Sequence, residues 1–94
     1  MTITISIDPK SIRHDFNRGG VDFQFSEGKR RHRVHVPDAA IADRLKVGKL
    51  SGGHAEGFVR GIALQIALLL TGRTFARSPE GHIVVDSETL RKVR

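Results

Sequence analysis

Ninety-four residues, 38% of them apolar and 28% charged, suffice for a single domain spanning 1–94 and rule out a disordered composition. The absence of cysteine excludes disulfides, thiolate metal sites and thiol nucleophiles, and it suits a reducing cytoplasm. A formal net charge of +6 favours polyanionic partners without selecting one of them.

The opening stretch MTITISIDPK has no basic segment followed by an apolar run, so no secretory signal is expected. Ile3, Ile5 and Ile7 alternate with Thr2, Thr4 and Ser6, the period of a half-buried strand. Asp8-Pro9 should end that strand, and Asn17-Arg18-Gly19-Gly20 is turn chemistry. Val21, Phe23 and Phe25 then alternate with Asp22, Gln24 and Ser26, and the alternation resumes at 30–36 with His32, Val34 and Val36 on one face.

A Gly28-Lys29 loop suits a type II′ hairpin and sets Phe25 opposite His32, Phe23 opposite Val34 and Val21 opposite Val36. A Glu27-Gly28 loop slides the pairing by two residues and keeps the same faces. In both, Asp22, Gln24, Ser26, Arg31, Arg33 and His35 point outward, with Asp22 expected to neutralise an arginine across the hairpin.

Asp38 is the expected N-cap of a short helix whose apolar stripe is Ile41 and Leu45. After a loop over 46–53, a longer helix is predicted from His54 to Thr71, with Gly72 as its C′ residue. His82-Ile83-Val84-Val85-Asp86 reads as a strand. The basic tail 87–94 is helical if Asp86 or Ser87 caps it, and flexible otherwise. The expected fold is α+β: a small antiparallel sheet, made of the hairpin plus N-terminal and C-terminal strands, packed by a short and a long α-helix.

The long helix carries more apolar surface than one face needs. Phe58, Ile62, Ile66, Leu69 and Leu70 recur at helical spacing and should lie on the sheet. Leu64 and Leu68 point elsewhere, to be covered by the short helix or by a second subunit, and they are the candidate dimer interface. Gly53, Gly57 and Gly61 bare a strip of helix backbone for close packing, either by the hairpin or by another copy.

Chemistry is sparse. His32 and His35 fall on opposite faces of one strand, no His-x-x-x-His pair exists and no carboxylate cluster stands beside the histidines, so no metal site is expected. His14-Asp15 reads as a turn pair, because no nucleophile stands at a useful spacing. Gly48-Lys49-Leu50-Ser51 resembles part of a phosphate loop, but Asp43 replaces the upstream glycine. Free N–H groups at a helix start, with Lys49 and His54 near, would hold an anion only generically.

Lys29, Arg30, Arg31 and Arg33, with His35 beside them, are the candidate nucleic-acid or anion contacts, and Arg91, Lys92 and Arg94 would extend their patch. The bland alternative is the wet face of a strand. With no Tyr or Trp, and the hairpin phenylalanines Phe23 and Phe25 facing inward, no base-stacking platform is available.

The stretches "RHDFNRGGVDFQF", the short helix after "RVHV", Arg60 and Ile62 within "FVRGIALQIA", and "EGHIVV" together resemble the small bacterial family called Domain of Unknown Function 1488 over about residues 3–86. The resemblance implies an α+β fold with two helices on a small antiparallel sheet, and it transfers no activity and no functional residues. The chain departs from the family pattern at His14, where an aromatic is usual, and at Leu64 and Leu68, where the outer helix face is usually rich in Glu. The expected function is that of a small basic cytoplasmic protein without cofactor, a non-enzymatic interaction or regulatory module for a protein partner or for itself. The alternative is nonspecific nucleic-acid binding through the basic hairpin.

Overall fold

The computed structural model describes residues 4–71 and 81–93. Among the described residues four strands, β1 (Ile5–Asp15), β2 (Gly20–Glu27), β3 (Arg30–Pro37) and β4 (Ile83–Val84), form one sheet in the order β1-β2-β3-β4. Three helices, α1 (Asp38–Leu45), α2 (Gly52–Leu70) and α3 (Ser87–Arg91), complete the α+β fold. α2 lies on β1 and β2, while α1 packs on β3 and α3.

The hairpin folds as its alternation demands. Gly28, at φ 61°, opens a two-residue loop, and Val21 faces Val36, Phe23 faces Val34 and Phe25 faces His32. Those five apolar side chains are buried beneath α2 with Ile12, Ile41 and Ile66. At the other turn, Asp15 Oδ1 accepts from the Asn17 and Arg18 amides, and Gly19 takes a left-handed conformation at φ 65°. Next to it, a Cβ on Gly20 would sit 2.5 Å from the Val36 carbonyl oxygen, so only glycine permits that approach.

β1 is longer than expected. Asp8-Pro9 bends the strand without ending it: between the pairs Asp8–Gln24 and Arg13–Asp22 the register shifts. Pro9, which cannot donate, is tolerated because β1 is an edge strand and the residue lies in this bulge. Side chains patch the gap. Asp8 Oδ1 accepts from the Lys10 amide, and Ser11 Oγ donates to the Asp8 carbonyl while accepting from the Gln24 amide. Arg60 of α2 donates to the freed carbonyls of Pro9 (3.2 Å) and Ile12 (3.5 Å).

The C-terminal strand is also different. β4 has only two residues, and it pairs parallel to β3, with Val34 beside Ile83 and His35 beside Val84. The tail is helical over Ser87–Arg91, the outcome expected if Asp86 caps it. Asp86 Oδ1 accepts from the Thr89 amide as its N-cap, and Leu90 and Val93 are buried.

Neither longer helix begins where the sequence suggests. Pro37 is the N-cap of α1, and Asp38 is its first residue, its carboxylate committed to His14 instead. α2 starts at Gly52, two residues earlier than expected, and Ser51 caps it by accepting from the His54 amide at 3.1 Å. Gly72, expected as the C′ residue, lies outside the described residues.

The buried face of α2 is rotated from the expected one. Ala55, Val59, Ala63, Ile66, Ala67 and Leu70 face the core, while Phe58, Ile62 and Leu69 are half-buried flanks. Small side chains let the helix lie close to the sheet, and the bulkier ones close its sides. Leu45, expected in the stripe of α1, is 40% exposed.

Candidate interaction surfaces

The fold leaves two faces without a covering layer among the described residues: the outward side of α2 and the outward side of the sheet. On α2, Gly53, Gly57, Gly61, Leu64 and Leu68 are all exposed and fall at steps of four, four, three and four. At 3.6 residues per turn this spacing makes one strip along the helix, opposite the alanine face. α1 does not cover it, since Leu64 is 46% and Leu68 56% exposed.

A Cβ added at Gly53, Gly57 or Gly61 meets nothing within 4 Å among the described residues, so the hairpin does not pack on the glycines. Each glycine costs a helix about 1 kcal/mol relative to alanine. Three of them on an open face therefore weaken α2 by an amount that no contact described within the chain offsets. The nearest charged side chain, Arg60, is drawn off the strip by the carbonyls of Pro9 and Ile12 and by Glu56 at 3.4 Å.

At its N-terminal half the strip runs into an open apolar cavity of about 520 Å³, lined by Leu45, Val47, Lys49, Leu50, Gly53, His54, Gly57 and Phe58. Lys49, a candidate anion contact, thus stands at the rim of an apolar hollow, on the loop before α2 and not on the hairpin. Sequence reasoning missed this hollow. In the sequence Leu45 belongs to the apolar stripe of the short helix and Val47 to a loop, and only the fold brings them beside the two glycines.

The sheet's outward face holds the basic residues, but they do not form one patch. Arg31 and Arg33 are exposed on the outer row of β3, Lys29 sits in the turn, and Arg30 lies in the row of the opposite face. His35 is not a free cation: its Nδ1 lies 2.6 Å from Asp22 Oδ1, directly across the hairpin. Asp22 therefore pairs with His35 and, at 3.5 Å, with Arg18, and not with an arginine of β3. Arg91 does not extend the patch, because it pairs with Asp43 of α1 at 3.0 Å. Arg94 lies outside the described residues.

Histidine and carboxylate pairs are more frequent than the sequence suggested. Besides His35–Asp22, His32 meets Glu27 at 3.2 Å and His14 meets Asp38 at 2.9 Å. With its Nε2 proton on Asp38, His14 turns Nδ1 toward the first turn of α2, where a Cβ on Gly52 would lie 3.1 Å away. That nitrogen is buried without a hydrogen-bond partner, and Phe16 stacks edge-on against the ring at 4.6 Å. The pair thus ties β1 to the first turns of both α1 and α2.

Ser11 gives its hydroxyl proton to the Asp8 carbonyl and not to a histidine. No group of three or more metal-ligating side chains occurs among the described residues either. No described helix is long and apolar enough to cross a membrane.

Next to the His35–Asp22 pair, Arg18, Arg33, Asp15, Asp22, Gln24, Ser11 and His82 line a polar hollow of about 300 Å³. Its two arginines face two carboxylates, so it offers an anion no uncompensated charge. Arg18 Nη1 lies 3.0 Å from the buried His82 ring nitrogens. Burial, reinforced by Arg18, Arg33 and His35 and opposed by Asp22, holds His82 below its ordinary pKa of 6.5.

The chain matches no family model, no curated protein and no solved structure.

The lowered pKa of His82 makes stability pH-dependent. Below pH 6.5 the unfolded chain takes up a proton that folded His82 still refuses, so stability is complete above that pH and declines as pH falls beneath it. Denaturation midpoints measured across this range should show the decline in the native chain. His82→Asn should flatten it.

Proposed function

We propose that the chain is a non-enzymatic protein-interaction module whose working surface is the outward strip of α2. The observation that carries this reading is the strip itself: three helix glycines and two exposed leucines, with no charged side chain in their line and no intrachain contact at the glycines among the described residues. A solvent-facing helix side is ordinarily charged, and an apolar, smooth one beside an apolar cavity is the usual form of a protein contact. A cytoplasmic setting belongs to the same proposal, supported by the cysteine-free sequence. So does kinship with the Domain of Unknown Function 1488 family, which adds no residue roles.

The test is a photoreactive amino acid placed at Leu64 in the cell, with Asp43 on α1 as the control position. Covalent adducts to protein from position 64 and few from position 43 are expected. Equal labelling from the two positions would remove α2 as the working surface.

A second reading is nonspecific nucleic-acid binding by the open sheet face. It is favoured by Arg31 and Arg33, which are exposed and make no ion pair among the described residues. Fluorescence anisotropy on a labelled duplex and a labelled single strand decides it. Binding that persists near physiological salt and disappears in the Arg31→Ala/Arg33→Ala double variant would promote this reading, whereas equal binding by the variant would dismiss it.

A further inference from the structure

Resting on the reading of α2 as an interaction surface, we infer that its occupant is a second copy of the same chain, its α2 packed antiparallel across a two-fold axis near Gly61. The strip is self-complementary only in that orientation. Gly53 and Gly57 stand four residues apart at one end, and Leu64 and Leu68 stand four apart at the other. Reversing one helix about the point between residues 60 and 61 places Leu68 over Gly53 and Leu64 over Gly57, since each pair of numbers sums to 121. The same operation sets Gly61 of each copy opposite the partner's Arg60, since 60 and 61 also sum to 121, and the missing side chain of Gly61 leaves room for the close approach at the axis.

A parallel pairing sets leucine against leucine and glycine against glycine. It leaves the hollow end empty and the projecting end crowded. In the antiparallel pair each end supplies what the other lacks, as knobs fill holes in paired helices.

The surroundings fit independently of the spacing. The cavity of about 520 Å³ opens beside Gly53 and Gly57, and its walls are Leu45, Val47, Leu50 and Phe58. Leu45 and Val47 are themselves 40% and 43% exposed, so the partner's Leu64 and Leu68 would enter an apolar hollow open at its mouth. Because the axis is two-fold, each dimer fills two such hollows with four leucines. Arg60, the charged residue nearest the axis, is already held away on the bulge carbonyls of β1.

Cysteines introduced singly report the register cleanly, because the chain has none of its own. Gly53→Cys and Leu68→Cys, mixed as separate variants and oxidised, should give the mixed disulfide. Leu68→Cys alone should give none, because residue 68 then lies about 15 positions, roughly 22 Å, from its own copy, beyond disulfide reach. Sedimentation of the native chain should show a dimer, and Leu64→Glu/Leu68→Glu should convert it to monomer.

A disulfide from Leu68→Cys alone with none from the mixture would overturn the antiparallel register. A native chain that sediments as a monomer at every concentration would overturn the second copy as occupant. The broader reading fails separately. If the chain is monomeric yet position 64 photolabels a different protein, the strip remains an interaction surface for that protein. If position 64 labels nothing, both fall.

Discussion

The small side chains on the inner face of α2 set the rest of the structure. Ala55, Ala63 and Ala67, with Val59, seat the helix close against β1 and β2, and the closeness fixes what its other sides can do. Phe58, Ile62 and Leu69 are drawn half into the edges of the layer, where they seal it. Nothing is left to shelter Leu64 and Leu68, which stand outward with the glycines. Had leucines occupied the inner face, the helix would stand farther off and its outer side would be free to carry charge. Arg60 is bound to the same geometry, because only a helix this near the bulge can hand its guanidinium to the carbonyls of Pro9 and Ile12.

How the helices are anchored follows from one histidine. His14 is held by Asp38 at the start of α1, and it stands against Gly52 at the start of α2. The carboxylate of Asp38 satisfies one ring nitrogen, and the other is left without a hydrogen bond. An unsatisfied buried nitrogen costs stability. The ring's compensation is positional: β1 and the first turns of both helices are brought to one point, beneath the edge of Phe16.

Local sequence revealed what local physics decides. The faces of β2 and β3 followed from alternation, and of the two loops that alternation left open the structure takes Gly28-Lys29. The α+β class was legible for the same reason, and so was the direction of Leu64 and Leu68 away from the sheet, but not that α1 leaves them exposed. What escaped was decided by contacts distant in sequence. Asp8-Pro9 looks like a strand end, and it becomes a bulge only because Ser11 reaches Gln24 and Arg60 reaches back from α2. The direction of β4 depends on where the chain re-enters the sheet, which no two-residue strand can announce. The pair His14–Asp38 spans 24 residues, so adjacency in sequence gave no hint of it. For α2, hydrophobicity favoured a face of Phe58, Ile62, Ile66, Leu69 and Leu70, and the structure keeps Ile66 and Leu70 inward but sets Ala55, Val59, Ala63 and Ala67 beside them in place of the bulkier three.

The orientation of α2 is the claim on which both the interaction strip and its partner depend. It is tested most directly by comparing denaturation midpoints of Ala63→Leu and Leu64→Ala in dilute solution. With Ala63 facing the sheet and Leu64 facing water, the larger side chain at 63 should overpack the layer and cost about 1–3 kcal/mol, while truncation at 64 should change stability by no more than about 0.5 kcal/mol. A loss of about 2–5 kcal/mol from Leu64→Ala, the cost of emptying a core leucine site, with Ala63→Leu tolerated, would contradict the account.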